Sequence, residues 1–102
     1  MSIINTSLTT VPSNIYVSSG NTIVSAMYFC NYSASTVTFN LYAVPSGWVA
    51  NANTQIYSSI QVSSNDTYVV DWEKLALGNN ETLRANVSAN VSMTATVSYI
   101  GV

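Results

Sequence analysis

Short runs of β-branched and aromatic residues, broken roughly every ten residues by Asn, Ser, Gly and Pro, leave this chain few folds other than layered β-sheet. Alternation is plainest in Ser35 to Val44, where Val37, Phe39, Leu41 and Ala43 share one face and Thr36, Thr38, Asn40 and Tyr42 the other. Glu81 to Val87 repeats the pattern with Leu83, Ala85 and Val87 inward. Asn90 to Ile100 does so with Val91, Met93, Ala95, Val97 and Tyr99, and these two segments are expected to form a hairpin across Ser88-Ala89. Thr22 to Cys30 is apolar on both sides, with Ile23, Ser25, Met27 and Phe29 opposing Val24, Ala26, Tyr28 and Cys30. Such a strand belongs in the middle of a layered structure, or has one face covered by another subunit.

Further strands are expected at Thr9 to Val11, Asn14 to Ser18, Gln55 to Val62 and Thr67 to Asp71. Only Trp72 to Leu77 has helix-favouring chemistry, long enough for one short helical turn near 72–77. About eight short strands imply an all-β fold, an antiparallel β-sandwich or a small barrel, with jelly-roll-like wiring the natural arrangement. Residues 1–10 read as an N-terminal arm or edge segment and residues 11–102 as a single β-sandwich domain.

Charged residues are only 6% of the chain, against about 25% in an ordinary soluble domain. Ser, Thr and Asn, 39 of the 102 residues, keep the surface wet instead. A nearly neutral surface carries little long-range repulsion between copies, so self-assembly or docking is favoured. Lys74 and Arg84 are the only cations, too few for phosphate binding, and nucleic acid is not an expected partner. Cys30 stands alone, which rules out an intrachain disulfide and suits a small buried apolar residue. The segment from Met1 to Thr6 lacks the features of a secretory signal, and no apolar run approaches the ~20 residues of a membrane helix, so no membrane association is expected.

Histidine is absent, which removes the usual general base and the commonest zinc ligand. The carboxylates Asp66, Asp71, Glu73 and Glu81 show no glycosidase-like or calcium-loop spacing. Asp66 reads as a turn residue and Asp71 and Glu73 as helix-start residues, so neither catalysis nor a metal or other cofactor is expected. Six Asn-X-Ser/Thr triplets, beginning at Asn5, Asn31, Asn65, Asn80, Asn86 and Asn90, are what 12 Asn and 27 Ser plus Thr yield by chance. Trp48, Trp72 and seven tyrosines suit a carbohydrate-binding module, because aromatic rings stack on sugars, but they suit cores and subunit interfaces better. Trp48, just after Pro45-Ser46-Gly47, is the best candidate for an exposed anchor.

Several motifs occur in a telling order: Ile15-Tyr16, Ile23 to Cys30-Asn31, Val37 to Leu41, Val44-Pro45-Ser46-Gly47, Leu75-Ala76-Leu77-Gly78, Leu83-Arg84-Ala85 and Val97-Ser98-Tyr99. From about Val11 onward the chain resembles a group of short virion proteins of tailed phages, found often in phages of cyanobacteria and other aquatic bacteria. The high Asn content and the acidic step at Asp71-Trp72-Glu73 depart from that group's pattern. The resemblance implies a structural protein of the virion: a capsid decoration or cement subunit on the head surface, or a neck, tail or fibre component. Its partners would be the major capsid protein or other virion proteins, and it would assemble as a homo-oligomer, with a trimer as one candidate state. A low-charge sandwich fits that role by burying its sheet edges in neighbours. The expected protein-contact residues are Tyr16, Tyr28, Tyr42, Trp48 and Tyr57.

Overall fold

The computed structural model describes residues 2–71, 75–90 and 92–101. Among these residues the regular structure is entirely strand: β1 (Ser2–Ser7), β2 (Ser13–Val17), β3 (Thr22–Asn31), β4 (Val37–Val44), β5 (Gln55–Val62), β6 (Thr67–Val70), β7 (Leu75–Leu77), β8 (Thr82–Val87) and β9 (Met93–Gly101). Two antiparallel sheets pack face to face. One, sheet A, runs β1-β9-β3-β6, with β7 also on β3; the other, sheet B, runs β2-β8-β4-β5.

β6 pairs with Met27–Cys30 and β7 with Thr22–Val24, so the two act as one interrupted strand along the same edge of β3. Counted that way there are eight strands, and the first pairs with the last, the second with the seventh, the third with the sixth and the fourth with the fifth. This is the wiring of a jelly roll, a hairpin of hairpins rolled into two layers.

The alternation read from sequence supplies the core. Val37, Phe39 and Leu41 of β4 and Leu83, Ala85 and Val87 of β8 face Met93, Ala95 and Val97 of β9, all buried. Phe29 from sheet A and Phe39 from sheet B, both fully buried, stack across the interlayer space with centroids 4.1 Å apart.

Four expectations are corrected. β8 and β9 are not a hairpin, since they lie in opposite sheets and meet through their inward side chains. Leu75–Leu77 is strand, not helix; three residues gain more from the open edge of β3 than from nucleating a helical turn. The remainder of the expected turn, Trp72, Glu73 and Lys74, lies outside the described residues. Thr9 to Val11 is a turn: Thr9 Oγ1 donates to Val11 O and Asn90 Oδ1 accepts from Thr10 N, while Ser2–Ser7 forms the edge strand.

The last correction concerns β3. Its ladder with β9 slips between Val24 and Ala26, a one-residue bulge at Ser25. Because side chains alternate with a period of two, the bulge reverses the inward parity. Thr22 and Val24 are buried before it, and Met27, Phe29 and Asn31 after it. Ile23 therefore does not share a face with Met27 and Phe29. The bulged serine is satisfied by donating to Ser98 O at 3.1 Å.

Candidate protein-contact surface

No strand of sheet A carries an Asp, Glu, Lys or Arg. The charged side chains among the described residues are Asp66, Asp71, Glu81 and Arg84, the acids in connections and the arginine on sheet B. The outward positions of sheet A follow from its pairings. Tyr28 sits centrally, with Thr96 of β9 on one side and Val69 of β6 on the other. Toward one end Ile23 lies between Ile100 and Ala76, and Ile3 lies beside Ser98.

Among the described residues the result is a charge-free face of hydroxyl and apolar groups, on which Ile3, Tyr28, Val69 and Ile100 are all exposed. Burying it against another protein would not strand an ionised group, the costliest event in association.

The outer face of sheet B is built differently. Asn40 Oδ1 accepts from Ser59 N at 2.8 Å, Asn40 Nδ2 donates to Asn86 Oδ1 at 3.1 Å, and the Tyr42 hydroxyl donates to the same oxygen at 3.3 Å. Asn86 Nδ2 in turn donates to Thr10 O. Arg84 emerges next to this network, its Nε donating to Thr82 Oγ1. The two faces thus differ in charge and in the amide network: sheet B carries Arg84 and the Asn40–Asn86 network beside exposed Val17 and Ile56, while the strands of sheet A carry no charge.

The five aromatic residues singled out from sequence separate accordingly. Tyr28 and Trp48 are exposed. Tyr16 is buried, its ring 4.4 Å from Tyr99 across the layers and its hydroxyl 3.1 Å from Thr22 Oγ1. Tyr42 is held in the amide network of sheet B. Tyr57 is half-buried, packed on the core and set edge-on to Tyr68. Tyr16 and Tyr42 therefore offer a partner little surface on the free subunit, Tyr57 offers part of its ring, and Tyr28 and Trp48 are the most exposed of the five. Ile3, Val69 and Ile100, which sequence reasoning passed over, belong with Tyr28; the signal that identifies them is cross-strand register, which a single strand's pattern does not contain.

Trp48 and Val49 stand exposed in the connection from β4 to β5. That loop is fastened from within: Thr54, buried, donates through Oγ1 to Val49 O or Asn51 O, accepts from Asn51 N, and its carbonyl accepts from Ala43 N. The tryptophan is presented on an ordered support.

Asn31 ends β3 fully buried and joins the loops at the opposite end of the sandwich. Its Nδ2 donates to Ser35 O, Val62 O and Ser63 O at 2.8, 2.9 and 3.2 Å, and its Oδ1 accepts from Ser33 N and Ser33 Oγ. Among the described residues no group of three His, Cys, Asp or Glu is placed to hold a metal ion. Asp66 caps its own turn, accepting from Thr67 N. Set against known proteins, the chain matches no family model, no curated protein and no solved structure.

Proposed function

We propose that this protein is a structural component of a virus particle, a capsid decoration or cement subunit that binds the outside of a phage head through the outer face of sheet A. The single observation that carries the reading is the face around Tyr28, which holds no charge among the described residues, set against a sheet B whose outer face carries Arg84 and the Asn40–Asn86 amide network. A jelly roll is also a fold that capsid proteins use, which supports the reading by analogy only, as does the order of motifs quoted above. In this role the subunit stabilises the assembled shell by binding it in preference to free capsid protein, an effect multiplied over every copy.

Copy number tests the proposal. Purified particles should contain hundreds of copies per virion; a handful would instead indicate a neck, tail or fibre component. At the surface itself, Tyr28→Asp is expected to leave the melting temperature within a few degrees of the parent, because the side chain touches solvent on the free subunit. The same change should weaken binding to subunit-depleted shells about thirtyfold or more, measured by co-sedimentation. Unaltered loading of the Tyr28→Asp subunit would remove sheet A from the contact.

One observation favours a second reading: an exposed tryptophan on an ordered loop is how sugar-binding modules present a stacking platform. If a glycan array identifies a ligand and Trp48→Ala abolishes its binding without loss of stability, the protein is a receptor-binding module. Should no glycan bind, that reading is finished.

A further inference from the structure

We infer that two copies of this chain pair through β1, antiparallel about a two-fold axis at Ile4, so that sheet A runs continuously across a dimer. Unpaired backbone groups at a sheet edge invite another strand unless something blocks them. Three of the four edges are blocked. β2 follows Pro12 and slips register between Asn14 and Tyr16. β5 slips twice against β4 and contains Ser59 at φ 52°. The edge along β3 is interrupted between β6 and β7.

β1 has none of these devices. It holds an unbroken register with β9 from Ser2↔Tyr99 to Ser7↔Thr94, and it contains no charge and no proline.

The free backbone groups of β1 can be assigned. Leu8 N donates to Met93 O at 3.0 Å, and antiparallel ladders alternate, so Ile4 and Thr6 turn their backbone groups to β9 while Ile3, Asn5 and Ser7 turn theirs outward. A second extended strand can pair with that whole row at once. Within one sheet, opposed residues must point to the same face, which restricts self-pairing to registers that set inward residues against inward ones.

The register centred on Ile4 meets this condition. It pairs Ile3 with Asn5 of the second copy through hydrogen bonds, and brings the two Ile4 side chains together at a close, non-hydrogen-bonded position. It also accounts for Ile4 itself, which lies opposite buried Val97 on the inward side yet remains 39% exposed. Ile4 borders an open groove with Ile15, Tyr16, Val17 and Tyr99, and a second β1 would cover its rim. A second copy is the occupant favoured here because the edge is complementary to itself and no like charges meet across it.

The inference needs no shell and is independent of the virion role, so the purified protein tests it. Sedimentation velocity at tens of micromolar should give a two-copy species. Asn5→Pro deletes an outward N–H that β9 does not use, so it should keep the fold by circular dichroism and raise the dimer dissociation constant about a hundredfold. Ile4→Lys should do the same, which guards against the proline variant failing to fold. In a Cys30→Ser background, Ile4→Cys should form an intermolecular disulfide on mild oxidation, since facing Cα atoms at such a position lie about 4.5 Å apart, within disulfide range. A monomeric or trimeric parent, a dimer that survives both edge variants, or a dimer without that crosslink would overturn the proposal.

Discussion

Replacing Asn31 with alanine is expected to lower the unfolding free energy by about 3–5 kcal/mol, a large share of the roughly 5–15 kcal/mol that holds a domain of this size together. The side chain is fully buried and makes five hydrogen bonds to groups on two segments, residues 33–35 and 62–63. Deleting it strips the amide donors from Ser35 O, Val62 O and Ser63 O and leaves a void at a fully buried position. Asn31→Asp sharpens the test, because its shape is nearly unchanged but the new carboxylate would face those three carbonyl oxygens. Burial and the facing oxygens both oppose ionisation, so its folded-state pKa rises above the unfolded value. The unfolded chain then binds fewer protons in the window between the two values, and stability falls as pH rises through it. Urea titrations should therefore show Asn31→Asp recovering relative to the parent as pH is lowered toward the unfolded carboxyl range. A loss under about 1 kcal/mol for Asn31→Ala would mean that the loops do not depend on this amide.

Phe29→Ala should cost a comparable amount, about 3–5 kcal/mol, by combining lost burial with a cavity between the layers. Among the described residues Phe29 and Phe39 are the largest fully buried side chains and they come from different sheets, so their contact resists the sliding of one layer over the other. Each strand around them is held by its own ladder, which makes local collapse into the void expensive. A cycle of Phe29→Leu and Phe39→Leu, singly and together, should return a coupling of about 0.5–1.5 kcal/mol for the stacked pair. Additive losses would show that the rings contribute through burial alone.

How far these features could be read from the sequence depends on the kind of information each needs. Inward faces of β4, β8 and β9 were legible because Val37-Phe39-Leu41, Leu83-Ala85-Val87 and Met93-Ala95-Val97 alternate with polar residues, and only one phase buries them. β3 was legible as a strand but not as to which residues face inward. Both its phases are apolar, and the bulge that selects between them falls on Ser25, with no Gly or Pro to mark it. Partner choice was hidden for the same reason: Ser88-Ala89 resembles a hairpin turn, while the chain there crosses from one sheet to the other. Of the contact surface, Tyr28 and Trp48 were legible as large aromatics, but nothing local distinguishes them from Tyr16 and Tyr42, whose hydroxyls are engaged by Thr22 and Asn86. The role of Asn31 was equally invisible, since its acceptors lie as far as 32 positions away.

The placement of β9 between β1 and β3 has a consequence for how the molecule is made. Residues 93–101 are synthesised after the eight other strands of this fold, yet they supply the ladder partner of the first strand and of the longest one. Until they emerge, β1 has no partner and β3 has an open flank, so the nascent chain waits with sticky backbone exposed. Assembly of this layer is therefore dominated by long-range pairing, which folds slowly and is vulnerable to aggregation at high expression rates.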